Sequence, residues 1–275
     1  MITSKKIALL LFFIPLFGLF SQNKSKYHDF YLKKSKKPAF LLGEKVKYRF
    51  SYGKSNKKGI ITAGYGQFEV KKIINLRGSD CYYIKGSGSS TKLFSIFYEV
   101  NDVFESYLDT SKLVPLKFYR NIHEDKYKAK QLASFIRESN YVETTNLINQ
   151  EKKHLKTSKY TQDILSALFA SRNIVNENIN LNDTVFIEIF NLEKHKITPS
   201  YFVPIKKETI KTKIGTLKTI KCKIKTEKSR IFSAKNSTYI WVTDDQRHLP
   251  VKLETPIRVG SIYIEILSVE NLFEN

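Results

Sequence analysis

From Glu44 the chain alternates strictly. Val46, Tyr48, Phe50 and Tyr52 fall on one side of an extended segment, and Lys45, Lys47, Arg49 and Ser51 on the other. A period of two is the signature of a strand with one buried face. The same pattern, punctuated by turn residues, predicts strands at 61–71, 81–86, 103–108, 116–122, 131–137 and 141–148. A second set is expected near 184–190, 201–212, 217–226, 237–243, 250–255 and 261–269, while Gly53 to Gly59 reads as a loop. One stretch breaks the period. Thr161 to Arg172 sets Ile164 against Leu168 and Leu165 against Phe169 at i,i+4 spacing, with Thr161 as the expected cap and Asp163 in the first turn. Arg172 falls at the end where a cation suits the helix dipole. The expected fold is therefore mainly β: an antiparallel sheet, sandwich or partial (half) barrel with one central packed helix.

A short pattern occurs twice. Asp109, five residues, Pro115, Leu116-Lys117-Phe118 is echoed by Asp244, five residues, Pro250, Val251-Lys252-Leu253. An acidic turn followed by a proline at a strand start, where no ladder hydrogen bond is needed, is a repeated hairpin. Two β-halves, 40–150 and 184–275, joined by the helical segment near 161–172, account for it within one β-rich domain spanning 40–275.

The N-terminus has another character. Lys5 and Lys6 precede an apolar run from Ile7 to Phe20, which ends at Ser21-Gln22. This is the layout of a secretory signal peptide over 1–22, and the run, interrupted by Pro15, is short for a transmembrane helix. Residues 23–39, with little periodicity and many lysines, read as a basic flexible arm. No cysteine follows the apolar run for lipidation, so the expectation is a periplasmic or secreted protein and not an integral membrane one.

Charge sharpens that picture. The 275 residues carry a formal charge of +21, with 39 Lys and only eight Arg among the cations. Phosphate-reading grooves favour the planar fork of Arg, so a lysine-rich surface argues against a nucleic-acid partner. Removing Lys5 and Lys6 leaves +19, of which +10 lies between Asn23 and Gly59. Outside the cytoplasm such charge points to lipid or another anionic envelope component.

Candidate chemistry is sparse. None of the five histidines has a metal-ligand spacing, so neither a metal nor a cofactor is expected. His123-Glu124-Asp125 reads as a charged turn. Gly86-Ser-Gly-Ser-Ser-Thr91 lacks the Lys-Ser/Thr ending of a nucleotide loop and is not Gly-x-Ser-x-Gly, which leaves a flexible turn. Asp102, Glu105, Asp244 and Asp245 are the carboxylates on which acid/base chemistry would have to rest. Cys81 and Cys222 are the only cysteines and candidates for a disulfide, although Cys222 shares a strand face with Ile220 and Ile224 and also suits a small buried hydrophobe. Leu93, Phe94, Ile96, Phe97 and Tyr98 form the most apolar segment of the first half and are expected at a cavity rim or contact patch.

Several segments in order resemble the exported bacterial family called domain of unknown function 3108, in its Bacteroidetes-type form. They include Phe40 to Tyr48 with Ser51-Tyr-Gly53, Ala63-Gly-Tyr-Gly66, Tyr98 to Asp109, Pro115 to Arg120 and Thr161 to Ala167. Lys211 to Gly215, Trp241 to Asp245 with Leu249 to Lys252, and Val259-Gly-Ser261 complete the likeness, which spans about Phe40 to Ile266. The resemblance implies an exported, β-rich protein and brings no catalytic residues. The expected function is a non-catalytic periplasmic or envelope protein that binds a hydrophobic or anionic envelope component. The alternatives are a hydrolase of envelope polymers or lipids using the dispersed carboxylates, and a structural or assembly partner engaged through strand edges.

Overall fold

The computed structural model describes residues 38–53, 60–174, 180–225, 238–257 and 260–271. The expected signal peptide and nearly all of the basic arm lie outside these residues. The first half contributes β1 (Lys45–Gly53), β2 (Ile61–Leu76), β3 (Ser79–Ser90), the one-turn helix α1 (Lys92–Ser95), β4 (Asn101–Asp109), β5 (Pro115–Glu124), β6 (Tyr127–Ile136), β7 (Tyr141–Asn146) and β8 (Lys152–Lys156). After helix α2 (Ile164–Ile174) come β9 (Val185–Asn191), β10 (Lys196–Thr212), β11 (Gly215–Lys225), β12 (Thr238–Thr243), β13 (Pro250–Pro256) and β14 (Ser261–Glu270).

All fourteen strands belong to one sheet, ordered β8-β7-β6-β5-β4-β3-β2-β1-β14-β13-β12-β11-β10-β9. Neighbours in sequence pair as antiparallel hairpins. The exceptions are β8 and β9, which are consecutive but form the two edges, and β1 with β14, the first and last strands. The latter pair and join the two halves at mid-sheet with Tyr48 opposite Ile266 and Phe50 opposite Ile264. The alternation read from the sequence becomes burial: Val46, Tyr48 and Phe50 face the core, and Lys45, Lys47 and Arg49 face outward.

Helix α2 fills the concave side. Leu165, Phe169 and Ala170 pack with Phe40, Val70, Ile84, Phe104, Phe118 and Phe135. Its cap is Asp163, not the expected Thr161: Asp163 Oδ1 accepts from the N–H groups of Leu165 and Ser166, both at 2.8 Å, while the Asp163 N–H donates to Ser166 Oγ. Thr161 is used one step earlier, accepting from the Ser158 N–H and donating to Glu188. Between them Gln162 adds to the edge of β9, donating to Glu188 O at 2.8 Å and accepting from the Phe190 N–H at 2.7 Å.

The sheet curls until its ends meet. Strand β9 turns Val185, Ile187 and Ile189 towards Ala167 of α2. Phe190 and Leu192 instead join Ala133, Phe135 and Val142 of β6 and β7, with the Phe135 and Phe190 rings 6.1 Å apart edge to face. Thr144 Oγ1 of β7 lies 3.3 Å from His195 Nδ1, just beyond β9. The β9 end is therefore seated against the inner face of the β6–β7 end. The other edge strand, β8, is short and carries Lys152, Lys153 and Lys156, which blunts edge-to-edge pairing.

The two turns share a left-handed residue, although their closing hydrogen bonds are offset by one position. In both copies the residue two before the proline takes a left-handed backbone, φ 52° at Leu113 and 40° at His248. The Asp109 N–H donates to Val114 O, and in the second copy the Thr243 N–H donates to Leu249 O. The two turns sit at opposite ends of α2: Gln162 Nε2 donates to Leu113 O at 3.0 Å, and Arg172 Nε to Arg247 O at 2.8 Å.

Gly86 to Ser90 is not a flexible turn but the end of β3, paired with β2 so that Gly86 opposes Phe68 and Gly88 opposes Gly66. A Cβ on Gly86 would sit 3.0 Å from the Phe68 ring, so glycine is what lets that ring lie flat on the strand.

Candidate functional site

Helix α2 covers the inner face of the first half closely, whereas over the second half it leaves a cavity of about 200 Å³. Ile164, Ala167 and Leu168 of α2 form its roof. Its floor is the inward row of successive strands: Ile187 and Ile189 on β9, Phe202 on β10, Cys222 and Ile224 on β11, Ile240 and Val242 on β12, and Leu253 on β13. The register explains the continuity, since Phe202 opposes Ile224, Cys222 opposes Ile240, and Ile240 opposes Leu253. Side chains on neighbouring strands at matched register share a face and make one apolar surface.

Polar groups enter this surface at few points. Arg172 lies at one end, and its charge is matched by Glu44, with Nη1 to Oε1 at 2.5 Å and Nη2 to Oε2 at 2.9 Å. His248 also lines the cavity, and its Nδ1 lies 3.1 Å from Arg172 O. Burial holds the His248 pKa below its usual value, which favours the uncharged ring. Burial pushes the Cys222 thiol up to about 12, so it remains a protonated, unreactive wall group. Ser200 and Tyr201 on β10 and Ser171 on α2 are the remaining polar residues of the lining, and the Ser171 hydroxyl donates to Leu168 O at 2.9 Å.

The five residues expected at a cavity rim or contact patch lie away from this cavity. Leu93, Ile96 and Phe97 stand on and just beyond α1, 67%, 76% and 79% exposed, while Phe94 and Tyr98 pack inward against the cluster around Val46, Tyr48 and Trp241. None of the five lines the cavity. Thr91 Oγ1 accepts from the Phe94 N–H at 3.2 Å and fixes the turn that presents the three exposed side chains.

Cys81 and Cys222 are both free and buried, on β3 and β11. Five strands of the sheet separate them, and no bridge joins them.

Nor do the four expected carboxylates converge. Asp244 pairs with Lys207 at 3.0 Å, Asp245 receives the Arg247 guanidinium, and Glu105 lies on the opposite face of β4 from Asp102. Asp102 instead meets Glu124, which the local pattern assigns to a charged turn. Both are buried, Tyr98 Oη donates to Glu124 Oε2 at 3.2 Å, and the His123 N–H donates to Asp102 Oδ1 at 2.9 Å. Desolvation, with the neighbouring carboxyl, raises the Glu124 pKa, and desolvation raises that of Asp102. Among the described residues no group of three His, Cys, Asp or Glu side chains is placed to hold a metal ion, and no helix is long and apolar enough to cross a membrane.

No curated protein sequence matches the chain. A β-barrel-like protein of the DUF1849 family from Brucella abortus superposes with a TM-score of 0.55 at 8% identity, over 84% of this chain and 98% of that one, and shares its fold. A candidate lipoprotein from Parabacteroides distasonis (12% identity, 85% and 98% coverage) and a candidate exported protein with a YmcC-like fold from Bacteroides fragilis (9%, 84% and 97%) superpose only at TM-scores of 0.32 and 0.30. The model of a family of unknown function, DUF3108, matches residues 47–267, and the chain belongs to that family.

Proposed function

We propose that the protein is an exported, non-catalytic envelope protein that holds a hydrophobic ligand in the cavity between α2 and β9–β13. The observation that carries this reading is the cavity itself: strand after strand presents Ile, Phe, Val and Leu to it, yet the helix packs only onto the β9 end of that row and leaves the rest open. A close-packed interior normally fills such a space with its own side chains, and an apolar space left beside a well-packed core is what a small-molecule site looks like. The basic, apolar and polar succession of the N-terminus supports export, and the lysine-rich composition supports a working place near anionic envelope surfaces. The scatter of Asp102, Glu105, Asp244 and Asp245 supports the non-catalytic reading over hydrolysis.

Pyrene tests this directly, because its emission reports the polarity of its surroundings and it has no hydrogen-bonding group. The protein is expected to bind pyrene in an apolar environment with micromolar affinity, and Ile224→Trp, which places a large ring in the cavity, is expected to weaken binding at least about tenfold with an unchanged circular dichroism spectrum. Pyrene left in water by the wild type, or bound equally by Ile224→Trp, would refute the assignment.

A further inference from the structure

The polar groups of the cavity carry a second message, which rests on the reading of the cavity as a ligand site. A site for a fatty acid or another amphiphile held by its charge needs an uncompensated cation. Arg172 does not supply one: its guanidinium is spent on Glu44, Ala39 O and Arg247 O. His248 approaches a carbonyl through Nδ1 and sits where burial disfavours the imidazolium. Cys222 is a buried thiol. A carboxylate drawn into this space would lose its water and find no charge in return.

Ser200 is different. It is buried, 7% exposed, lies on the cavity face of β10 opposite Ile187, and its Oγ has no hydrogen-bond partner. Two residues earlier on the same face, Thr198 Oγ1, 2% exposed, is also without a partner. Buried hydroxyls are nearly always hydrogen-bonded, and one left open beside an apolar cavity marks the place where a ligand atom completes it.

We infer that the cavity selects an uncharged lipid-like ligand, an alkyl chain bearing a hydroxyl or carbonyl oxygen, and that Ser200 is the residue that recognises that oxygen. The apolar walls bind the chain without regard to its polar end. The open hydroxyl of Ser200 then favours a neutral oxygen, and among the described residues no free cation lines the cavity to hold an ionised head.

Competition against pyrene separates these contributions. 1-Decanol is expected to displace pyrene from the wild type at least about tenfold more effectively than decanoate at about pH 8, where the acid is ionised. Ser200→Ala is expected to weaken 1-decanol about fivefold, the size of one neutral hydrogen bond, while leaving pyrene affinity within about twofold and the melting temperature unchanged or raised. Ser200→Thr, which keeps the hydroxyl, is expected to restore 1-decanol binding. Decanoate competing as well as 1-decanol, or Ser200→Ala changing pyrene and 1-decanol alike, would overturn the inference while leaving the cavity assignment intact. Failure of pyrene to bind at all removes both.

Discussion

A buried guanidinium is tolerated only when its charge and its N–H groups all find partners, and Arg172 satisfies both demands inside this protein. It is 3% exposed and Glu44 1%, and its face lies over the rings of Phe40 and Phe169 at 5.8 and 5.7 Å. Through Ala39 O and Arg247 O it fastens the segment before β1 and the turn before β13 to the last part of α2. Removing one partner leaves the other as an uncompensated buried charge. Arg172→Ala and Glu44→Ala are each expected to lower the unfolding free energy by about 3–5 kcal/mol in urea titrations. The double variant Glu44→Gln/Arg172→Met is expected to cost clearly less than the sum of the two alanine variants. A local pattern can say that Arg172 ends a helix and suits its dipole. It has no means of pairing position 172 with position 44, which are joined only when β1 and α2 are brought together by the whole sheet.

At the scale of elements, the corner where α1, β4 and β5 meet holds chemistry that strand periodicity partly announces. Asp102, Phe104, Ser106 and Leu108 share the inward face of β4, so alternation alone places a carboxylate among core residues, where it requires a partner. Grouping Asp102 with Glu105 instead, by nearness along the chain, combines opposite faces of one strand. The partner, Glu124, is supplied by β5 and was not readable, because Val100 opposite Glu124 is an isolated bridge formed after the α1 excursion. Tyr98, Arg120, His123, Tyr127 and Glu193 are the other titratable groups acting on the pair. Burial raises Asp102 to about 6 and Glu124 to about 8. Both folded values exceed the unfolded 3.8 and 4.5, so the stabilisation is complete below those values and is lost as pH rises through the folded ones. Asp163, raised to about 6 by burial, acts in the same sense but only over the lower part of that range. The melting temperature of the wild type is therefore expected to fall between about pH 6 and 8, where the Asp102–Glu124 pair gives up its last shared proton. Glu124→Gln, which keeps the shape without the ionisation, is expected to flatten that slope. An equal slope in the variant would show that the pair does not govern it.

For the whole molecule, the strands were readable one by one and their order was not. Each hairpin is a local event, while the β1–β14 junction and the meeting of β9 with β6–β7 bring together residues far apart in the sequence. A repeated turn and a central helix suggest two halves. The packing argues for one cooperative unit, because α2 shares a cluster with strands of both halves and Phe190, from the second half, is buried among residues of the first. Trp241, the single tryptophan, lies on β12 of the second half in a cluster that also holds Val46, Tyr48 and Phe50 of β1. It therefore reports the packing between the halves, whereas far-ultraviolet circular dichroism reports every strand. If the sheet is one unit, the two signals trace a single coincident transition in urea, as two-state unfolding requires. Phe190→Ala, which empties the contact with Phe135, is then expected to cost about 3–5 kcal/mol and to shift both curves by the same amount. A Trp241 transition that moves while much of the dichroism stays would mean that the second half unfolds by itself. In that event the β1–β14 ladder would be a hinge between domains, and the cavity, whose roof is α2 and whose floor is β9–β13, would open whenever the second half does.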